Sequence, residues 1–227
     1  MLHKHCILDI ETTGLPPKNA NWETDFLQFP HIVQLSWKLA EDSEVNDYII
    51  KPDGYEIPEE VSKIHGITTE IAIGKGVPFG TIIQRLIDDC AESELIIGHN
   101  LYFDVSIVKA NILRLAYNNQ GNDLLADLSE RSIAALHKDK RVDTMSYPVI
   151  RFCAIPFPNA KPGSRNYKYP KLIELYFNLF GEEFPAHDSK YDVLATEKCY
   201  FELLRLGILQ PKEIISEETS GDNKEKL

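Results

Sequence analysis

Two acidic residues, two positions apart, end an apolar run near the start of the chain. Asp9 and Glu11 follow Cys6-Ile7-Leu8, and residues i and i+2 of a strand point to one face, roughly 6.5 Å apart. An ionised acid in such a strand costs several kcal/mol unless solvent or a cation compensates it. Both are therefore candidate metal ligands, and a strand with a solvated end is the alternative.

A second acidic residue of interest follows the buried run Leu95-Ile96-Ile97, in the segment GHNLYFD at 98–104. Asn100 is a candidate cap for a following helix, which places Asp104 about one turn inside it. This position lies near the carboxyl end of the sheet, where α/β proteins bind ligands. The alternative is that Asp104 only complements the helix dipole.

The third segment, HDSKYD at 187–192, pairs a histidine with an acid five positions later. Five residues of an ideal helix turn through about 500°, so His187 and Asp192 do not share a helical face. We infer that His187 precedes a helix capped by Asp188 or Ser189, with Asp192 in an early turn. A surface histidine beside a helix start is the alternative.

Taken together, the three segments predict a two-metal site. Mg²⁺ and Mn²⁺ prefer carboxylate oxygens, and a pair of such ions stabilises the attacking and leaving oxygens of phosphoryl displacement. A neutral histidine is a suitable general base, because the pKa of imidazole lies near the working pH. The catalytic set is His187 with the four metal ligands Asp9, Glu11, Asp104 and Asp192.

Elements that alternate between strand and helix must hold these residues. Apolar patterns predict strands at Cys6–Ile10, Ile32–Leu39, Tyr48–Ile50 and Leu95–Ile97, with another ending near Val142. Ile82, Ile83, Leu86 and Ile87 repeat at helical spacing, which predicts a helix before the fourth strand. Further helices are predicted at Leu101–Tyr117, Met145–Cys153, Lys171–Phe180 and Ser189–Leu206. The stretch between Tyr117 and the strand near Val142 is interpreted as polar, and Pro16–Pro30 as a polar surface loop. This order predicts an α/β domain with a mixed sheet, occupying residues 1–212, followed by a flexible acidic tail at 213–227.

The segments LDIETTG (8–14), GHNLYFD (98–104) and HDSKYDVLAT (187–196) resemble the three motifs of the DEDDh exonucleases. That family includes the proofreading subunit of bacterial DNA polymerase III, ribonuclease T and oligoribonuclease. IHGIT (64–68) and VDT (142–144) also resemble family segments. The resemblance implies an RNase H-like fold, a mixed five-stranded sheet flanked by helices, with two Mg²⁺ or Mn²⁺ ions. It further implies release of nucleoside 5′-monophosphates from 3′ ends of single-stranded nucleic acid.

The resemblance also implies contacts to the terminal nucleotide. These are the backbone of Thr12 and Gly14, a wedge formed by Leu15, and a pocket lined by His65, Asn100 and Phe103. Ordinary core packing is the alternative for Leu15 and Phe103. The long loops resemble the proofreading branch more than compact oligoribonucleases, which favours DNA over RNA. A polymerase partner and a homodimer both remain open.

The uneven charge of the chain points to a way of holding a strand. The net charge is −11, which argues against broad coating of duplex DNA. Yet His137–Lys171 holds eight Lys/Arg and two acids, a net of +6, among several aromatic residues. We expect Lys161, Arg165 and Lys168 to guide a single strand by contacts with its phosphates, while the neighbouring aromatic residues stack on its bases. A solvated loop is the alternative.

Composition limits the remaining classes. No apolar run approaches the roughly twenty residues of a membrane span, and no signal-peptide core follows Met1, so we expect a cytoplasmic protein without membrane contact. The four cysteines form no C-x-x-C pair and are expected to be reduced core thiols. Two other hypotheses are a non-catalytic nucleic-acid-binding adaptor and a metal-stabilised structural protein.

Overall fold

The computed structural model describes residues 4–40, 44–161 and 163–211, so the predicted tail at 213–227 lies outside the described residues. The strands are β1 (His5–Thr12), β2 (Ile32–Leu39), β3 (Asn46–Ile49), β4 (Leu95–Gly98) and β5 (Arg141–Asp143). The helices are α1 (Glu59–His65), α2 (Thr69–Lys75), α3 (Phe79–Glu92), α4 (Leu101–Asn118), α5 (Asp123–Ala135), α6 (Tyr147–Cys153), α7 (Leu172–Phe180) and α8 (Ser189–Arg205).

The five strands form one mixed sheet in the order β3-β2-β1-β4-β5. β1, β2 and β3 are antiparallel neighbours, whereas β4 and β5 run parallel to β1. The predicted mixed five-stranded sheet is therefore confirmed. β1 lies at its centre, so the acids that it carries are surrounded by the rest of the domain.

Side chains of β1 alternate between two layers of helices, as the period of a strand requires. Leu8 packs in the core that α3 and α4 cover, where it joins Ile83 and Val105. Ile7 packs in a second core on the opposite face, together with Val193 of α8. By the same alternation, the two acids of β1 lie on the face of the sheet that α8 covers.

Three helices were not predicted from the sequence. α1 and α2 are short, and α5 lies in the stretch interpreted as polar. α5 buries a narrow stripe that includes Leu128, Ser132 and Ala135, while most of its surface is polar. Asn122 begins it by accepting a hydrogen bond from the N–H of Leu124. Such a weak apolar pattern becomes a helix through packing on α3 and α4 rather than through its own periodicity.

The loop predicted on the surface at Pro16–Pro30 is exposed along most of its length, but its end is buried, including Phe29. One side chain of α4 holds this end. Nη2 of Arg114 donates to the carbonyl oxygens of Phe29 at 2.5 Å, Phe26 at 2.9 Å and Leu27 at 3.4 Å. The loop is therefore fixed to α4 through its backbone.

All four cysteines, Cys6, Cys90, Cys153 and Cys199, are buried and free, which agrees with the predicted core thiols. Among the described helices, none combines the length and the apolar composition needed to cross a bilayer.

Candidate active site

The two acids of β1 lie among other negative charges. Burial raises the pKa of Asp9 well above its ordinary value, and the charges of Asp104, Asp192 and Glu11 raise it further. Burial, followed by the charges of Asp192 and Asp188, raises the pKa of Glu11 to about 7. The strand thus presents both acids to a site where several carboxylates repel one another.

Asp104 lies in the first turn of α4, as predicted, with only 3% of its surface exposed. Burial is again the main cause that raises its pKa well above the ordinary value, and the charge of Asp143 is the next. Its place in the first turn puts the side chain at the positive end of the helix dipole, which favours an anion.

The cap of α4 differs from the prediction. Asn100 occupies the N-cap position in a left-handed conformation (φ 67°), but among the described residues its side chain makes no capping hydrogen bond. Instead, the carboxylate of Asp143, at the end of β5, accepts the N–H groups of Asn100 at 2.9 Å, Leu101 at 3.0 Å and Met145 at 2.7 Å. A residue from the neighbouring strand therefore fixes the turn that aims Asp104.

His187 and Asp192 have the predicted relation to α8. Asp188 is the N-cap and accepts the N–H of Lys190, and Asp192 lies in the first turn. His187 precedes the helix with an exposed side chain and φ of 70°. Its N–H donates to Oδ2 of Asp192 at 3.2 Å. A left-handed conformation is uncommon for a residue other than glycine, so this turn is held by its surroundings.

Asp192 has an unfilled acceptor. Burial raises its pKa to about 7, despite the opposing hydrogen bond from the His187 N–H. Its Oδ1 atom is buried and accepts no hydrogen bond from the described residues. Buried carboxylate oxygens are rarely left in this state, and a bound cation is one way to satisfy them.

The elements bring the predicted catalytic residues to one place. One ligand atom from each of Glu11, His187 and Asp192 lies within 4.8 Å of the other two, close enough for a shared ion. Asp9 is near enough to Asp104 and Asp192 for their charges to raise its pKa. We call Asp9, Glu11, Asp104 and Asp192 the carboxylate cluster. Its oxygen donors and its desolvated like charges fit hard divalent cations.

The backbone after Glu11 forms a tight turn beside the cluster. Thr12 Oγ1 donates to the carbonyl oxygen of Gly14 at 2.7 Å, and Gly14 has φ of 152°, which favours glycine. His65 is buried, and its Nδ1 accepts the N–H of Ile67 at 3.1 Å. Burial lowers the pKa of His65, and the backbone of Thr12 and the charge of His187 lie near enough to affect it as well. His65 therefore lies near both the turn after Glu11 and His187.

The other predicted contact positions differ in exposure. Leu15 is 82% exposed, so the alternative of ordinary core packing is wrong for it. Phe103 is partly buried and packs against the core under α4, in line with that alternative. Asn100 is exposed at the start of α4. Leu15 and Asn100 are thus available to a ligand.

The basic residues of the stretch 137–171 are not equally available. Lys161 and Arg165 are exposed. Lys168 is partly buried, and its Nζ atom donates to both carboxylate oxygens of Glu174, at 2.5 and 2.7 Å. Because this ion pair offsets its charge, Lys168 has less to offer a phosphate than the other two.

A histidine joins the end of this basic stretch to the turn before α4. Nε2 of His99 lies 2.9 Å from the carbonyl oxygen of Pro170, and Nδ1 lies 2.9 Å from Oγ1 of Thr144. Burial lowers the pKa of His99, so its ring is neutral near pH 7. Since a carbonyl can only accept, Nε2 carries the hydrogen. His99 had no role in the sequence interpretation, because its partners are distant in the chain.

Comparison with known proteins adds independent findings. A family model described as an RNase T exonuclease matches residues 6–200. No curated protein sequence matches the chain. Among solved structures, E. coli exonuclease I in complex with a dA16 oligonucleotide is similar, with 20% identity and a TM-score of 0.60 over 90% of this chain and 41% of that one.

Exonuclease I from Methylocaldum szegediense is 18% identical, with a TM-score of 0.62 and the same coverage. The chain thus spans about two fifths of the length of these structures. At this identity, the likeness shows a shared fold. The family model covers most of the sequence and includes each of the three acidic segments. The chain therefore belongs to the RNase T family of exonucleases.

Proposed function

We propose that this exonuclease shortens single-stranded nucleic acid from its 3′ end and releases nucleoside 5′-monophosphates. The observation that carries the proposal is the carboxylate cluster, whose four acids are desolvated together next to the exposed ring of His187. Such a group needs cations to compensate its charge, and cations in an exonuclease fold serve phosphodiester hydrolysis.

The carboxylate cluster would hold two Mg²⁺ or Mn²⁺ ions. Two observations support this assignment: Oδ1 of Asp192 accepts no hydrogen bond within the described part of the chain, and like charges surround Asp9. When bound, the ions would neutralise charge on the attacked phosphate and make a water more acidic. The protein would place Asp104 and Asp192 through the first turns of two helices, so that both ligands are held rigidly.

His187 would act as the general base. Its side chain is exposed, so it can exchange protons with solvent, and its N–H is bonded to a proposed ligand, Asp192. The imidazole would accept a proton from the attacking water as the new O–P bond forms. The bond from phosphorus to the preceding O3′ then breaks, and that oxygen takes a proton from solvent. The products are a nucleoside 5′-monophosphate and a strand with a new 3′-hydroxyl.

Single-stranded DNA is the proposed substrate. Two similar solved structures are exonuclease I with dA16 and with dT13 oligonucleotides. Thr12 and Gly14 would contact the terminal nucleotide through backbone, with the exposed Leu15 against its base. His65, Asn100 and Phe103 would complete the pocket, the first through its position beside Thr12. The metal site acts on phosphate, so contacts to the sugar would decide between DNA and RNA.

The basic stretch would hold the strand upstream of the site. Lys161 and Arg165 are exposed, and the ring of Tyr167 lies 5.5 Å from the guanidinium of Arg151. Basic and aromatic side chains together suit a strand whose phosphates pair while its bases stack. Lys168 would contribute less, since Glu174 already accepts its hydrogen bonds.

The proposal is tested by digesting 5′-labelled single-stranded DNA and RNA of one sequence, side by side, with Mg²⁺, Mn²⁺ or chelator. We expect a ladder that shortens from the 3′ end in either metal and intact strands in chelator, with 5′-monophosphates identified by chromatography. Faster digestion of RNA would reverse the substrate preference. Strands that bind but stay intact in both metals would instead identify a non-catalytic adaptor.

A further inference from the structure

A buried amide on β2 lies directly beneath the start of α8. Gln34 is only 4% exposed, and its partner in the β1–β2 ladder is Glu11 of the carboxylate cluster. A buried amide must find hydrogen-bond partners for both its oxygen and its nitrogen. The partners of Gln34 therefore show what this residue holds in place.

Gln34 bonds to both residues that follow His187. Its Nε2 donates to Oδ1 of Asp188 at 3.1 Å and to Oδ1 of Asp47 at 2.8 Å. Its Oε1 accepts the N–H of Ser189 at 3.3 Å. The amide thus uses both donors and its acceptor, and two of these three bonds reach the turn that carries His187.

A second contact from β2 supports the same turn. Oγ of Ser36 lies 2.6 Å from Oγ of Ser189 and also donates to Asp47 at 2.9 Å. Asp188, held by Gln34, in turn caps α8 by accepting the N–H of Lys190. The first residues of α8 are therefore attached to the sheet through side chains as well as through packing.

His187 needs such support. It is exposed, it has φ of 70°, and its N–H bonds to Asp192. A turn in this conformation persists only where its neighbours fix it. Its direct successors, Asp188 and Ser189, are the residues that Gln34 binds.

We propose that Gln34 is a positioning residue for His187: its amide fixes the turn before α8, so that the imidazole is aimed at the attacking water. The inference rests on the proposed function, in which His187 is the base. A neutral amide is required, because it donates to two carboxylates at once, those of Asp47 and Asp188. A carboxylate in its place would add a third negative charge and remove both donors.

The test compares Gln34→Met with wild type, alone and in a His187→Ala background, using Mg²⁺ and labelled single-stranded DNA. Gln34→Met alone should lower kcat by about 10- to 100-fold with little change in KM, because the base is misaligned. His187→Ala alone should lower kcat by roughly 10²- to 10⁴-fold. Adding Gln34→Met to His187→Ala should then lower kcat by no more than about a further threefold, since Gln34 acts through the base that is already missing. Full additivity would overturn the proposal.

Gln84→Met is the matched control. Gln84 is partly buried, and its amide nitrogen, like that of Gln34, donates to a carboxylate, that of Asp88 on α3. It should leave kcat close to wild type. Ser36→Ala is the milder second variant, used if Gln34→Met fails to fold. It removes the contact with Ser189 and should also lower kcat, again without further effect when His187 is absent.

Hydrogen exchange separates this inference from the proposed function. The backbone amides of Ser189 and Lys190 should exchange at least about tenfold faster in Gln34→Met than in wild type. In Gln84→Met they should exchange at the wild-type rate. An inactive wild-type enzyme with this change in exchange would overturn the proposed function and leave the anchoring by Gln34 in place. An active enzyme in which neither exchange nor kcat responds to Gln34→Met would overturn the inference.

Discussion

Asp104 and Arg114 are both buried charged residues of α4, and their surroundings differ in charge. Asp104 in the first turn of α4 belongs to the carboxylate cluster, where burial and neighbouring negative charges raise the pKa of each acid. Arg114, ten positions later, is 8% exposed and is surrounded by neutral acceptors. Its guanidinium donates to carbonyl oxygens of the loop end, to Oδ1 of Asn111 at 3.0 Å and to Nδ1 of His31 at 3.2 Å.

The surroundings of Arg114 are adjusted to its charge. Burial, followed by the positive charge of Arg114, lowers the pKa of His31 to about 4, so the imidazole is neutral and can accept. The ring of Tyr55 stacks on that of His31 at 3.8 Å. All three residues line a cavity of about 390 Å³.

The difference shows how to separate structural from functional buried charge. Both terminal nitrogens of Arg114, Nη1 and Nη2, donate to acceptors within the protein, so its contribution is to the fold. The carboxylate cluster combines like charges with a buried oxygen of Asp192 that accepts no hydrogen bond, a state that residues 4–40, 44–161 and 163–211 do not compensate. The carboxylate cluster therefore fits a ligand that brings positive charge, whereas the charge of Arg114 is matched by neutral acceptors of the protein.

Removing a charge from the cluster should produce the largest effect. Asp104→Asn keeps the shape of the side chain but weakens a metal ligand, so we expect kcat to fall by more than about 10⁴-fold, equivalent to about 5.5 kcal/mol. Unfolding by urea in chelator should show a stability equal to or above that of wild type, because repulsion is reduced. Activity near the wild-type level would exclude Asp104 as a ligand.

Removing the charge of Arg114 should lower stability and leave activity unchanged. Arg114→Met leaves buried carbonyl oxygens without donors, so the free energy of unfolding should fall by about 2–4 kcal/mol. The kcat of the folded protein should stay close to wild type. Arg205→Met is the control, since Arg205 is exposed on α8 and pairs only with nearby Glu202 among the described residues. An inactive but stable Arg114→Met protein would contradict the comparison.

The pH dependence of stability should reveal the uncompensated acids. The pKa values of Glu11 and Asp192 rise to about 7 in the folded protein, from ordinary values of 4.5 and 3.8. Between about pH 4 and 7 the native state therefore binds protons that the unfolded chain has released. In chelator, stability should fall as pH rises through this window. Mg²⁺ should stabilise the protein most near pH 7, where the acids are most fully ionised. A stability in chelator that rises with pH between 4 and 7 would contradict the assignment of Glu11 and Asp192 as uncompensated acids.

The smallest expected effect concerns the basic stretch. Each phosphate contact removed should reduce the log–log salt slope of single-strand binding by about 0.7. Lys161→Ala and Arg165→Ala should approach this value, and Lys168→Ala should fall below it because of its ion pair with Glu174. Binding is measured in the Asp104→Asn background to prevent digestion, with exposed Lys75→Ala as the control. Equal slopes in all variants would mean that the stretch serves something other than the strand.

The sequence revealed the parts of the site that lie within continuous segments. The strand of Asp9 and the helix starts at Asp104 and Asp192 each leave a local pattern, and family resemblance joins them. Asp143 was noted only as part of a family segment, because its partners Asn100 and Leu101 are more than forty positions away.

The same reason explains the other omissions. Gln34 is one of several polar residues in β2, so nothing in the strand pattern singles it out. Its partner Asp188 is 154 positions away. Arg114 is one polar residue in a mostly apolar helix, and its buried position depends on a loop that folds back over it. α5 is a helix through its packing. Each requires knowledge of which distant segments meet, and periodicity does not supply that knowledge.

The attachment of the loop to α4 also bears on how freely this part of the chain can change. Arg114 binds carbonyl oxygens, which every amino acid supplies, so the path of the loop does not depend on the identity of the side chains at Leu27 or Gln28, both of which are exposed. Substitutions there can accumulate without altering the position of the backbone. The loop is therefore a part of the surface where new side chains can be introduced by mutation at little cost in stability.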